Sequence, residues 1–429
     1  MSPSLRTLAL VTTVGALGTT TLLACDGGKK EGADKPPPPA PVEKVEAPKP
    51  TGPAPTLLMA SAQFVKGPEG KPKPGPALLT FWRMEGDTFT TTTLEDPDSN
   101  VFHKVMPDGA GGLYSAGAEG AFLKHWTRKD GQWVAEVMWH PVWEGKFQRI
   151  RDLEIGDVTG DGQDDFVVAT HDSGVLGVVS KNAAGAWEAT ELRKQADTFV
   201  HEIEICDVDG DGKKEFFATP SERNQSSGKS QPGQVVMYRF LDGKWSETLL
   251  DDFAESHAKE ILCADVDGGG PAEFFSVVEA HTVLVDGKAT VKDPVEIRQY
   301  RFKGDKVEHS VVATIADRQT RFLIPGDFNQ DGKTDLVAAA MKTGLWLLTQ
   351  AADGTWTSTN FATDSSGFEH ASWGADLNGD GKLELYVAAD EQREMRRYVW
   401  NTATSSFDRT VVGPIKNDTI TWNITSTTM

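Results

Sequence analysis

The chain has 429 residues, a hydrophobic fraction of 38% and twelve tryptophans, enough for a large core, and a formal net charge of −20. That charge excludes nucleic acid and an anionic membrane surface as partners. Three cysteines are too few for a disulfide-built scaffold, and forty-two glycines among regularly spaced turn signals point to β structure.

Residues 1–6 carry a single positive side chain, and an apolar, Thr-rich run follows over 7–23. A basic start, a short apolar core and small residues at the cut are the marks of a secretory leader. The run is too short and too rich in threonine for a membrane-spanning helix. Leu22-Leu23-Ala24-Cys25 resembles the bacterial lipobox. The resemblance implies a leader over 1–24, cleaved before Cys25, and acylation of that cysteine. Acyl chains would hold the protein to a membrane by burying methylenes, so the expected location is exported and lipid-anchored, facing periplasm or cell surface.

Residues 25–56 read as a disordered tether. The stretch holds Pro36-Pro37-Pro38-Pro39 and further prolines at 41, 48, 50, 53 and 55, with no aromatic residue. It cannot bury enough apolar surface to fold, and its prolines keep it extended. Its charges cancel, so the acidity of the protein resides in the folded part.

Beyond the tether, an acidic nine-residue loop recurs. Its copies begin at Asp157, Asp207, Asp265, Asp327 and Asp376, spaced 50, 58, 62 and 49 residues apart. A period near 50 residues points to a propeller or a solenoid. A second series pairs a hairpin turn with an aromatic residue: Asp130-Gly131 before Trp133, Gly185 before Trp187, Asp242-Gly243 before Trp245 and Asp353-Gly354 before Trp356. Weaker copies end at Phe89, Val307 and Phe407, which brings this series to seven. Asp-Gly between two β-type runs is a strong hairpin signal.

The two acidic loops needed to match that count are traceable. Asp108 to Gly112 forms a degenerate copy, and another is split between the ends of the folded part. Residues 419–425 have the character of the strand before a loop, and 57–62 that of the strand after one. Pairing these two segments would close a ring without an open edge. The expected fold is all-β, a seven-bladed β-propeller over 57–425 with terminal-strand closure. Loops and period together resemble the FG-GAP or VCBS repeats, whose family includes the integrin α-chain head and many secreted bacterial proteins. The resemblance implies fold and metal and leaves function open, because one fold hosts many functions.

The loop chemistry stands apart from that likeness. Ca²⁺ takes six to eight hard oxygen ligands. Side chains at loop positions 1, 3, 5 and 9 offer them, and glycine at position 6 allows the sharp turn. The ligand sets are Asp157, Thr159, Asp161 and Asp165; Asp207, Asp209, Asp211 and Glu215; Asp327, Asn329, Asp331 and Asp335; and Asp376, Asn378, Asp380 and Glu384. The remaining loop offers Asp265, Asp267 and Glu273, with Gly269 in place of the position-5 acid. Four strong Ca²⁺ sites and one degenerate site are therefore expected, with a structural role. Asx-type turns that need no metal are the competing reading.

Six residues before each loop stand Arg151, His201, Lys259, Arg321 and His370. On first strands they would gather at the mouth opposite the acidic loops, with His103 and His171 near. A ligand site there and a solvated strand end are equal readings. No Gly-x-Ser-x-Gly elbow, His-Glu-x-x-His pair or Walker loop occurs. The expected function is a membrane-tethered module that binds a protein or glycan through this basic mouth. The alternative is a carbohydrate-active lyase or hydrolase using His201, His370 and neighbouring basic groups such as the arginines of the mouth. Cys206 and Cys263 precede consecutive loops by one and two residues. A bridge between them and two small buried residues both remain open.

Overall fold

Short apolar runs bounded by turn residues become strands throughout the computed structural model of the chain, which describes residues 52–120, 122–142, 149–225, 228–304 and 306–429. The expected leader, Cys25 and the tether as far as residue 51 lie outside the described residues. Among the described residues the architecture is all-β, and Pro68–Gly70 is one short helical turn. The strand Pro55–Lys66 begins two residues inside the stretch read as tether.

Strands follow one another as antiparallel up-and-down groups of four. Thr198–Cys206 pairs with Glu215–Glu222, then Gly233–Leu241, then Lys244–Phe253. The same order repeats from the first strands Val101–Pro107, Arg149–Gly156, Ala258–Ala264, Thr320–Gly326 and Ser372–Ala375. A further group is built from both ends: Thr419–Thr428 pairs with Pro55–Lys66, which continues into Ala77–Glu85 and Thr88–Asp96. The segments 57–62 and 419–425 thus lie side by side, as the sequence suggested, in a register that sets Leu57 opposite Ser426 and Gln63 opposite Thr419. The hairpin His281–Val285 and Lys288–Asp293 is inserted between second and third strands of one group.

Position within the group explains each strand's composition. Second strands such as Asp165–His171 and Asp335–Ala340 are buried along their whole length. A strand covered on both faces reads as a continuous apolar run. Fourth strands, such as Lys244–Phe253 and Ser406–Pro414, are largely exposed and carry Thr, Glu and Arg. The apolar core is divided accordingly into clusters between consecutive groups. Val167 and Ala169 pack with Phe216, Ala218 and Tyr238 across one such boundary. Across another, Leu57, Met59 and Trp82 pack with Tyr386, Ala388 and Met395.

First strands also touch one another. Arg149–Gly156 contacts Thr198–Cys206, which contacts Ala258–Ala264, which contacts Thr320–Gly326. That strand contacts Ser372–Ala375, which contacts Thr419–Thr428; the latter contacts Val101–Pro107, itself against Arg149–Gly156. The arrangement is propeller-like. Cys206 and Cys263 lie on two of these neighbouring first strands and are disulfide-bonded, with Cα atoms 6.2 Å apart. The question their spacing left open is thereby answered.

Candidate functional site

The acidic loops connect first strands to second strands, so all lie at one end of their groups. Each is organised by its first aspartate. Asp207 accepts the Gly210 N–H at 2.7 Å and the Gly212 N–H at 2.9 Å, and Asp376 does the same with Gly379 and Gly381. Gly162, Gly212, Gly332 and Gly381, at position 6, have φ of 82–84°, the left-handed conformation that glycine adopts without strain. The position-9 acid ties the loop back to its start: Glu215 accepts the Val208 N–H, and Glu384 the Leu377 N–H.

Carboxylates converge in two loops. Asp207, Asp209 and Glu215 each place an oxygen within 4.8 Å of the others, and so do Asp265, Asp267 and Glu273. These are hard anionic donors of the kind Ca²⁺ takes, and a bound ion would supply the positive charge that holds them together. The loop at 265, read as the degenerate one, therefore gathers its acids as closely as the loop at 207.

Elsewhere the position-3 side chain presents a hydrogen-bond donor to the acids. Thr159 Oγ1 donates to Asp165, Asn329 Nδ2 to Asp331 and Asp335, and Asn378 Nδ2 to Glu384 at 2.7 Å. In the loop at 207, Arg239 contributes an internal cation, with Nε 2.9 Å from Glu215 and Nη2 2.5 Å from Asp209. Burial, with Asp331 and Asp327 adding to it, pushes the Asp335 carboxyl up to about 7.

Arg151, His201, Lys259, Arg321 and His370 are all buried. The open basic mouth drawn from sequence is corrected: acids that the repeat pattern did not reveal neutralise it. Arg321 Nη1 lies 2.8 Å from Glu369, and its Nε lies 2.9 Å from Glu279. Arg151 approaches Glu202 at 3.4 Å and Glu369 at 3.5 Å, and Lys259 approaches Glu279 at 3.8 Å. Burial, and after it the Arg321 guanidinium, pull the Lys259 ammonium down to about 7. Against burial, Lys259 and Arg321 hold the Glu279 carboxyl down at about 2. A buried charge left without its partner is strongly destabilising, so charge reversal at Arg151, Lys259 or Arg321 would lower stability.

A β-bulge explains how these side chains are aimed. The pairing register of the first strand skips Arg151, Lys259 and Arg321, and in a wider break His201. It skips His103 and Trp422 on two further first strands. A bulge adds a residue to one strand and redirects its side chain. His103 and Trp422 thus belong with the five predicted residues. His103, His171, His201 and His257 form a file in which His171 Nε2 lies 3.3 Å from His201 Nδ1. Burial, followed by nearby cations, holds the His103, His171 and His201 imidazoles well below their ordinary range.

His201 engages both ring nitrogens, with His171 and with Ser221. His370 does likewise, bonding the Ala340 carbonyl through Nδ1 and Ser365 through Nε2. His370 stands apart from the histidine file.

Every first strand contributes to a cavity of about 270 Å³. Its wall includes Asp152, Glu154, Glu202, Glu204 and Glu260, on strand positions that alternate with the bulged residues and their apolar neighbours. Lys104 pairs with Asp152 at 3.0 Å and with Glu154. Phe322, Trp373 and Trp422 supply aromatic surface, and the Arg151 guanidinium lies 5.0 Å from the Trp422 ring centre. Burial raises the Glu260 carboxyl to about 8, and those of Glu202 and Glu204 well above the usual range. These acids were missed in the sequence, although Asp152-x-Glu154 and Glu202-x-Glu204 on strands that precede a loop are a visible alternation.

Residues 327–387, which hold the loops at Asp327 and Asp376, match the FG-GAP-like repeat. No curated protein sequence matches the chain. In fold the chain is similar to a Lactobacillus plantarum protein, at 11% identity over 87% of this chain and 99% of that one, with a TM-score of 0.55. It is also similar to candidate 6-phosphogluconolactonases from Bacteroides uniformis and Bacteroides fragilis. Both are 12% identical over 87% of this chain, with TM-scores of 0.54 and 0.51 over 99% and 98% of their own lengths. These likenesses establish a propeller-like fold and carry no activity to this chain.

Proposed function

We propose that this protein is an exported, lipid-held binding module: a seven-bladed propeller, stapled by Ca²⁺ at its acidic loops, that takes its ligand in the cavity where the first strands converge. Seven blades and closure are supported by the groups of four, the apolar clusters between them and the pairing of Pro55–Lys66 with Thr419–Thr428. Export and lipidation rest on the lipobox-like run that ends at Cys25. Calcium is supported by the convergence of carboxylates at 207 and 265 and by the FG-GAP-like match.

One observation carries the binding role: a cavity of about 270 Å³ whose wall combines carboxylates with Trp373, Trp422 and Phe322. That volume suits one sugar unit or one protein side chain, so a glycan or a protein segment remains the expected partner. The enzyme alternative draws on His201, His370 and the neighbouring basic groups; both histidines have their ring nitrogens engaged, and Arg151, Lys259 and Arg321 are paired with acids.

The test is a glycan and protein-capture screen with the full-length, Ca²⁺-loaded protein beside Asn423→Trp, which fills the cavity from its wall. Binding by the parent and loss in the variant are expected. Equal binding by both would move the site elsewhere, and cleavage of a captured glycan would restore the enzyme reading.

A further inference from the structure

The central cavity presents an unusual balance of donors and acceptors. Five carboxylates line it, Asp152, Glu154, Glu202, Glu204 and Glu260, against two cations, Lys104 and Arg151. Some of that negative charge is already compensated: Lys104 serves Asp152 and Glu154, and the Leu323 N–H donates to Glu260. Arg151 divides itself between Glu202 in the wall and Glu369 outside it. Five carboxyl groups against two cations therefore face the cavity, and those of Glu202, Glu204 and Glu260 hold protons that a bound cation would displace.

A second, independent feature points the same way. His103 lines the cavity and is 2% exposed. Its Nδ1 donates to the Ile150 carbonyl at 2.6 Å, so the neutral ring carries its proton there and Nε2 is a bare acceptor. Among the described residues Nε2 has no hydrogen-bond partner, and Asn423 Oδ1, on the same wall, has none either. A buried acceptor left unmade is unfavourable, so such atoms mark where a ligand's donors belong. Of the three unpartnered polar atoms that the described residues place on this wall, two are acceptors and one, Trp422 Nε1, is a donor, and its two cations are engaged with wall acids. Aromatic faces from Trp373 and Trp422 complete a surrounding that favours a cation over a neutral donor.

We infer that the central cavity selects a primary ammonium group, carried by a small linear amine or by an amino sugar. The inference rests on the cavity being the binding site. An ammonium brings three donors and one positive charge in a compact group. Its donors match the excess carboxylates and His103 Nε2, while the attached carbon chain or ring lies against the tryptophans. An acetylated amine loses the charge and two of the three donors, so it forfeits the match.

The test uses the full-length protein in saturating Ca²⁺, titrated calorimetrically with cadaverine, glucosamine and N-acetylglucosamine. The two amines should bind in preference to the acetylated sugar, and the better of the two identifies the source. Glu204→Gln and Glu260→Gln should each weaken amine binding about tenfold, because a bound ammonium favours the ionised form of each carboxyl and Gln has none. Lys104→Met should act in the opposite sense, tightening amine binding and letting added amine restore its melting temperature. A variant that merely misfolded would do neither.

Equal binding of N-acetylglucosamine would overturn the ammonium preference and leave the cavity as the site. Amine binding that survives Asn423→Trp would place the amines on the acidic exterior and overturn the inference. Absence of binding by all three probes would also overturn it, and glycan capture by the parent protein would then show whether the binding module itself stands.

Discussion

Arg321 Nη1 lies 2.8 Å from Glu369 Oε1, and both side chains are buried. Breaking such a pair leaves a charge without its partner. Arg321→Met should therefore destabilise the protein by about 3–5 kcal/mol, and Glu369→Gln by a comparable amount. The double variant should recover part of that loss. Chemical denaturation of the four proteins gives the coupling, and additive losses would mean that the two groups do not depend on each other.

Cys206 and Cys263 close a loop of 57 residues between neighbouring first strands. By loop entropy such a bridge is worth about 4 kcal/mol, so Cys206→Ser should lower the denaturation midpoint substantially. The reduced parent should behave like the variant. Peptide mapping after alkylation without reduction should find neither cysteine labelled, and a labelled pair would contradict the bond.

If Ca²⁺ staples the folded loops as proposed, and does not bind the unfolded chain, a concentration about a hundred times Kd should add roughly 2.7 kcal/mol per independent site. Because both acid sets converge, Asp207→Ala and Asp265→Ala should each remove part of this gain. Arg239 already bridges Asp209 and Glu215, so Arg239→Gln should make stability depend more steeply on Ca²⁺. Melting curves across a Ca²⁺ titration report all three, and a parent that does not respond would retire the metal.

The cavity acids make stability fall as pH rises. Burial raises the Glu260 carboxyl to about 8, above the unfolded value near 4.3, so the folded state holds the extra proton between those limits. Its contribution is complete below the unfolded value and is lost as pH climbs through about 8. Glu202 and Glu204 are raised in the same direction. Buried His103, His171, His201 and Lys259 are held low and act in the opposite sense in parent and variant alike, so the test is a difference: with Ca²⁺ saturating, the melting temperature of Glu260→Gln should gain on the parent's from about pH 5 to about pH 8. An unchanged slope in the variant would assign the effect to other groups.

What could be read from the sequence was what repeats locally. Each acidic loop, each Asp-Gly hairpin and the strand character of 57–62 and of 419–425 is contained within a run of a few residues, and the strands formed where those signals place them. The mouth was legible only by half. Arg151, Lys259 and Arg321 recur at a fixed offset before a loop, whereas Glu279 and Glu369, which neutralise them, follow a second strand and precede a first strand. No single repeat contains both partners. Burial compounds the difficulty, because a charged residue reads as exposed until its counter-charge is known. Bulges add a further displacement: His103 and Trp422 share the geometry of Arg151 without sharing its offset.

The pairing of Pro55–Lys66 with Thr419–Thr428 has a consequence for how the chain is made. The earlier strand leaves the ribosome long before its partner exists. Until 419–428 arrives, the largely apolar run 57–62 offers one unpaired edge to anything extended nearby. Contacts of such long sequence separation also form slowly. Synthesis therefore passes through a period in which most sheets have been built and the first is still incomplete. A factor that occupies that edge would guard the nascent protein against joining a second copy of itself.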